Sequence, residues 1–364
     1  MRVSDFEYEL PEALIAATPA AERDASRLLV VSRADGSLAH RTFRDLPACL
    51  RAGDLLVLND TRVVPARVRG RWATGGAVEA LLVEERGAGV WAAMVSPGKA
   101  ARPGRRLALA EGRVPAEVVG REGDLTLLRL EHDGALRDIL AECGEMPVPP
   151  YIVKHRSGGM GCRAHFSPTP DPRPPAPDFS QLDRDRYQTV YAREAGAIAA
   201  PTAGLHFTQA LLERVRAGGV ATTCLTLHLG VGTFRPVQVE RVEAHRMGAE
   251  RYRIPEAAAL AVKAARAGGR RVVAVGTTTT RALEHAAGAD GSVRSGEGLA
   301  DLFIYPGYRF RVVDALLTNF HLPRSTLLML VAAFAGRELI RRAYDEAIRE
   351  RYRFYSYGDA MLIL

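Results

Sequence analysis

The pattern of hydrophobic and polar positions changes texture along this chain. Residues 1–62 carry compact apolar runs, LLVV at 28–31 and LLVL at 55–58, which read as strands buried on both faces. The stretch 11–17, entered through Pro11, reads as a short helix. From Val63 to about Leu130 the apolar segments shorten, and glycine-containing turns recur at Gly75-Gly76, Gly87, Pro97-Gly98, Glu111-Gly112 and Gly123-Asp124. PAEVVG and LTLLRL, joined by REGD at 121–124, predict a hairpin. With no long helical period inside it, the region reads as a small antiparallel β-barrel, closed by a short helix over 135–142.

Residues 151–364 alternate helix and strand, and one unit runs twice. Thr208 caps a helix through Arg216, Ala217-Gly218-Gly219 stops it, and 221–229 follows as a strand. Pro255 then opens a helix through Arg266, Ala267-Gly268-Gly269 stops it, and 271–275 is the strand. A glycine in the left-handed position after the last turn explains both stops. Two terminal helices follow over 325–335 and 337–353. The expected architecture is an α/β core of residues 1–62 and 151–364, with a mixed, largely parallel or barrel-like sheet, and an inserted β-barrel domain of residues 63–150. The segment 153–180, rich in Pro, Gly and Ser, is expected to be a flexible insertion.

Composition narrows the class. A chain of 364 residues with 47% hydrophobic and 25% charged residues is globular and long enough for two domains. The longest apolar run, 327–335, is about half a membrane span. The N-terminus is charged and lacks the apolar core of a signal peptide, and four scattered cysteines predict a reducing, cytoplasmic setting. Formal net charge is +7, and residues 151–364 hold the excess, with 29 basic against 20 acidic groups. That balance permits a polyanionic partner such as RNA.

Several familiar sites are absent. Gly98-Lys99 lacks the upstream glycine of a phosphate-binding loop, and Gly230-Val231-Gly232 is followed by Arg235 where a dinucleotide fingerprint needs glycine. His155, Cys162 and His165 match no standard zinc spacing. Polar residues instead cluster where apolar strands end. These are Asn59-Asp60-Thr61-Arg62, the segment Pro201-Thr202-Ala203-Gly204-Leu205-His206-Phe207, His228 with Gly230, Gly232, Thr233 and Phe234, the loop Gly276-Thr277-Thr278 with Arg281, and Asn319 with His321. Gly-Thr loops entering helices offer main-chain N–H groups and hydroxyls to anionic or ribose oxygens. Such clusters at the strand ends of one α/β domain predict a shared cleft.

The same residues carry a resemblance. NDTRVVPAR (59–67), DRYQTVYA (185–192), AAPTAGLHF (199–207), LHLGVGTFRPV (227–237), AVGTTTTRALE (274–284), FIYPGY (303–308), TNFHLPRSTLLMLVAAFAG (318–336) and YRFYSYGDAM (352–361) closely resemble the S-adenosylmethionine:tRNA ribosyltransferase-isomerase family of queuosine biosynthesis. The segment after Ile152 departs from the family pattern as an insertion. The resemblance implies transfer and isomerisation of the ribosyl part of S-adenosylmethionine onto 7-aminomethyl-7-deazaguanine at the tRNA wobble position. Epoxyqueuosine-tRNA, adenine and methionine would be the products. It implies a monomer acting on a tRNA anticodon stem-loop, with S-adenosylmethionine consumed as a substrate and neither metal nor organic cofactor. A methyltransferase would need a glycine-rich loop after its first strand, and LLVVSR at 28–33 leads into Ala-Asp-Gly instead. In this setting His206, His228, His321 and Asp60 are the expected catalytic groups, because imidazole titrates near working pH and a carboxylate can hold a sulfonium or ammonium. Arg62 would pair with a carboxylate or phosphate. Tyr187, Phe207, Phe234 and Tyr305, the last beside Pro306 and Gly307, would lie along the substrates.

Overall fold

The structure is a computed structural model that describes residues 1–156, 178–230 and 237–364. Gly232, Thr233 and Phe234, together with Cys162 and His165, lie outside the described residues. The chain forms two units, Met1–Arg62 with Gln188–Leu364, and Val63–Tyr187.

The first unit is built on a nine-stranded sheet. In spatial order its strands are Gly296–Ala300, Glu250–Ile254, Ala221–Leu227, Leu55–Asn59, Val272–Val275, Ala315–Asn319, Ala360–Ile363, Arg27–Val31 and Leu38–Thr42. The four from Ala221–Leu227 to Ala315–Asn319 are mutually parallel. Three of these four are buried along their whole length, as continuous apolar runs covered by helices require. Towards both edges the pairing is mainly antiparallel, so the sheet is more mixed than the helix–strand alternation suggests. Glu250–Ile254 shows the reason: its strict buried–exposed alternation leaves one face to solvent, which antiparallel strands tolerate.

The helices follow their sequence signals. Thr208 accepts a hydrogen bond from the Leu211 N–H at 3.1 Å and starts Gln209–Ala217. Gly219 and Gly269, at φ +80° and +63°, take the left-handed turns that end this helix and Glu256–Ala267. The expected helix at 11–17 is only a single 3-10 turn, Glu12–Leu14. Its continuation is captured by the C-terminal segment: the Ala16 N–H donates to the Phe354 carbonyl, and Phe354 N–H donates to Leu14.

The second unit is a closed six-stranded antiparallel barrel, with the predicted hairpin formed by Val114–Glu122 and Leu125–Leu130. It continues beyond residue 150, to Tyr187 rather than to the expected boundary. Helices Pro150–Arg156 and Ser180–Arg186 belong to it. Arg156 grips Asp183 through two hydrogen bonds of 2.7 and 2.8 Å, and Arg184 donates to the Ala141 and Gly144 carbonyls at the end of helix Leu136–Cys143. The ends of the 153–180 segment are thus fixed helices, and the remainder, 157–177, lies outside the described residues.

Candidate active site

The four parallel strands carry the polar clusters on one edge, since Asn59, Leu227, Val275 and Asn319 are their last residues. From Leu55–Asn59 the sheet grows one way, through Ala221–Leu227 to Glu250–Ile254; from Val272–Val275 it grows the other way, to Ala315–Asn319. The order therefore reverses between Leu55–Asn59 and Val272–Val275. In open α/β sheets the crevice at the carboxyl ends of such a strand pair is where ligands bind.

At the carboxyl end of Leu55–Asn59 lies the Asp60 cluster. The Asp60 carboxylate, 2% exposed, accepts from Thr226 Oγ1 at 2.6 Å and from Arg193 Nη2 at 2.8 Å. Next to it Thr61 Oγ1 meets His228 Nδ1 at 2.8 Å, and its second neighbour is the Glu194 carbonyl at 3.5 Å. A hydroxyl that donates to Glu194 accepts from Nδ1–H, which leaves Nε2 of His228 as the basic nitrogen. Gly196 lies against the imidazole face, where a Cβ would come within 2.9 Å of the ring. Burial, aided by Arg251, lowers the His228 pKa, while Asp60 and Glu194 act in the opposite direction. Asn59 is not a ligand group here: its amide is consumed by Leu227 and Thr61 main-chain groups, and it joins two strands. Arg62 is exposed.

At the carboxyl end of the neighbouring strand Val272–Val275 lies the start of helix Thr277–His285. Gly276 has φ +92°, which turns the chain sharply from strand to helix. The threonines do not cap the helix as serine-type N-caps would. The N-cap is Gly276, which has no side chain, and the Thr279 and Thr280 hydroxyls bond back to the Val275 and Gly276 carbonyls, so no side chain caps the first main-chain N–H groups.

His206 and Asn319 form a separate network. Segment Thr202–His206 places His206 Nδ1 at 2.7 Å from Ser26 Oγ and Nε2 at 3.2 Å from the Asn319 amide nitrogen. Thr202 donates to Asn319 Oδ1 at 2.8 Å. Both His206 nitrogens are occupied, and burial with Arg23 and Arg353 nearby holds the ring neutral, its pKa down to about 3. His321 bonds Thr318 Oγ1 through Nε2 at 2.8 Å, and burial lowers its pKa too. The strand of Asn319 is two places from that of Asp60 and three from that of His228, about 10 and 14 Å at the usual spacing. The hydrogen-bond networks of His206 and His228 share no residue.

Other expected ligand residues serve the core. Phe207 is fully buried, edge-on to Phe43 at 5.0 Å, and cannot stack on a substrate. Tyr187 is fully buried and lies in the barrel unit. Pro201 and Ala203 are buried, and Gly204 leaves room for the Tyr191 hydroxyl, which sits where a Cβ would go. Arg281 is 2% exposed and spends its donors on Glu250 and on two carbonyls. Gly230 donates to that same Glu250 at 3.2 Å. Tyr305 and Pro306 are half-buried and Gly307 is exposed at φ +106°, all in the arm between Ala300 and Ala315. Arg193, Thr226, Glu250 and Glu284 are the polar groups the sequence left unremarked. Arg193 and Thr226 reach Asp60 from distant segments, so no local pattern announces them.

Comparison with known proteins places the chain in a family. A family described as "Queuosine biosynthesis protein" matches residues 3–363. The S-adenosylmethionine:tRNA ribosyltransferase-isomerases of Symbiobacterium thermophilum and Geobacter metallireducens are each 52% identical over 367 residues, covering 100% of both chains. The crystal structure of the S-adenosylmethionine tRNA ribosyltransferase from Thermotoga maritima is 36% identical, with a TM-score of 0.53, over 99% of this chain and 100% of that one. With a family match from end to end and relatives half identical at full length, the chain belongs to the queuosine biosynthesis protein family and is an enzyme of the ribosyltransferase-isomerase type.

Proposed function

We propose that the chain transfers and isomerises the ribosyl moiety of S-adenosylmethionine onto the aminomethyl group of 7-aminomethyl-7-deazaguanine in the tRNA wobble position. The products are epoxyqueuosine-tRNA, adenine and methionine. The observation that carries this reading is the reversal of strand order, with a carboxylate and an available imidazole nitrogen at the end of one strand and a helix N-terminus at the end of its neighbour.

The open N–H groups at Thr277 and Thr278 suit the methionine carboxylate or ribose oxygens. Asp60 supplies negative charge for the sulfonium or the methionine ammonium. The sulfonium acidifies the ribose C5′ hydrogens, and His228 Nε2 removes one, while Thr61 holds the tautomer that keeps this nitrogen basic. Adenine leaves from C1′ with a proton on its ring, the neutral amine of the modified base attacks the sugar and loses a proton, and cleavage of the C5′–S bond, its electron pair going to sulfur, releases methionine. S-adenosylmethionine is consumed, and the reading requires no resident metal or organic cofactor.

His228→Ala should lower adenine release by about 10² to 10⁴, with tRNA affinity nearly unchanged. The wild-type rate should also fall with acidification below the ordinary imidazole value, because protonated His228 is no base, and the lowered pKa moves that limb to more acid pH. A folded His228→Ala protein that releases adenine at the wild-type rate would overturn the assignment.

A further inference from the structure

Helix Thr277–His285 presents its N-terminus to the crevice, and on its later turns it carries two buried ionised groups three residues apart, Arg281 and Glu284. Arg281 Nη1 donates to Glu250 Oε2 at 2.5 Å, Nη2 to the Ala300 carbonyl at 3.1 Å and Nε to the Leu302 carbonyl at 3.3 Å. The second oxygen of Glu250 accepts from the Gly230 N–H at 3.2 Å. Glu284 accepts from the main-chain N–H groups of Arg311, Val312 and Val313 at 2.9–3.0 Å, and from the Tyr308 hydroxyl at 3.1 Å.

Most of the groups held by these side chains are main-chain atoms of two segments beside the crevice. Gly230 lies two residues after His228, and the span from Ala300 to Val313 is the arm that bears Tyr305 and Gly307. One helix thus fixes its own N-terminus, the link after His228 and both ends of the arm as a single body. A buried carboxylate that gathers four neutral donors fixes geometry, because losing it strands several buried N–H groups at once.

We propose that Glu250, Arg281 and Glu284 are positioning residues that set how firmly the crevice holds S-adenosylmethionine, without touching it. The inference rests on the reading of the crevice as the S-adenosylmethionine site. Because these residues act on the placement of the walls, their removal weakens substrate binding more than the chemical step.

The test is steady-state adenine release by the full chain at saturating precursor tRNA, alongside thermal unfolding. Glu284→Gln keeps volume but loses acceptor capacity, and should raise the KM for S-adenosylmethionine about tenfold, with kcat reduced by no more than about threefold. Tyr308→Phe, which deletes a single hydrogen bond from a half-buried ring and keeps the fold if Glu284→Gln does not, should raise it about threefold. Glu284→Asp, which retains the charge, should recover part of the loss. Unchanged KM in Tyr308→Phe and in a folded Glu284→Gln would overturn the proposal, as would parallel loss of kcat and of affinity for both substrates in step with Tm. Failure of the underlying site reading shows separately, as full turnover in His228→Ala.

Discussion

The His206 ring lies between the Ser26 hydroxyl and the Asn319 amide and stacks 4.9 Å from the Phe43 ring. A proton on Nε2 would point a second donor at an amide that already donates there, in a site closed to water. The folded protein therefore binds this proton only near pH 3, whereas the unfolded chain binds it near the ordinary imidazole value of about 6.5. Between these two values the unfolded state holds more protons, so stability rises with pH and is lost on acidification below about 6.5. The single-site contribution approaches about 1.4 kcal/mol per pH unit. Denaturant unfolding of wild type and His206→Gln between pH 4 and 7 should show the variant with the shallower dependence; equal slopes would assign the effect to other groups. His228 differs in what surrounds it, not in what it is. Its Nδ1 faces a hydroxyl that can pass a hydrogen bond on to Glu194, while its Nε2 has no hydrogen bond among the described residues.

At the scale of single elements, short-range signals and long-range competition are both visible. Thr208→Ala removes the acceptor for the Leu211 N–H and should cost about 1 kcal/mol, read as a lower denaturation midpoint at unchanged m-value. An unchanged midpoint would mean that water replaces the cap without cost. The two Arg-Ala-Gly-Gly stops behave as local rules, because a left-handed residue after the last turn needs only its own missing side chain. Residues 11–17 behave otherwise. Their helical tendency loses to hydrogen bonds with Phe354, a partner more than 300 positions away that no window of sequence contains. The threonine run after Gly276 is a third case: its register was visible, but not the choice of two hydroxyls to bond backwards and leave the N-terminus open.

Across the whole molecule, the unit of Met1–Arg62 and Gln188–Leu364 holds 31 basic and 26 acidic residues, against 18 and 16 in Val63–Tyr187. The larger excess lies with the unit that carries the crevice, which favours the polyanionic substrate meeting that unit. The logarithm of the affinity for precursor tRNA should fall linearly with the logarithm of salt concentration, with a slope of roughly 0.7–0.9 per phosphate neutralised. Replacing exposed arginines of the first unit, such as Arg62, by glutamine should reduce that slope. Arginine-to-glutamine changes confined to the barrel that abolish binding would contradict it. Among the described residues no helix is long and apolar enough to cross a membrane, in keeping with the short apolar runs of the sequence.

Much of this protein is written in local chemistry. Continuous apolar runs at 55–58 and 272–275 made buried parallel strands, turn spacing from 63 to 130 made the barrel, and the long motifs fell at strand ends along one edge of the sheet. Those features depend on the side chains of neighbouring residues, so the sequence alone determines them. Which polar residue does what is another matter. His206 and His228 look alike in sequence, and only the fold brings Ser26 and Asn319 to both nitrogens of the first and Thr61 to one nitrogen of the second. Arg281, in a motif that reads as a ligand site, faces Glu250 from another strand and is spent on it, while Phe207 turns into the core. Hydrogen-bond capacity and access to solvent are set by partners distant in the chain, and only tertiary structure decides them.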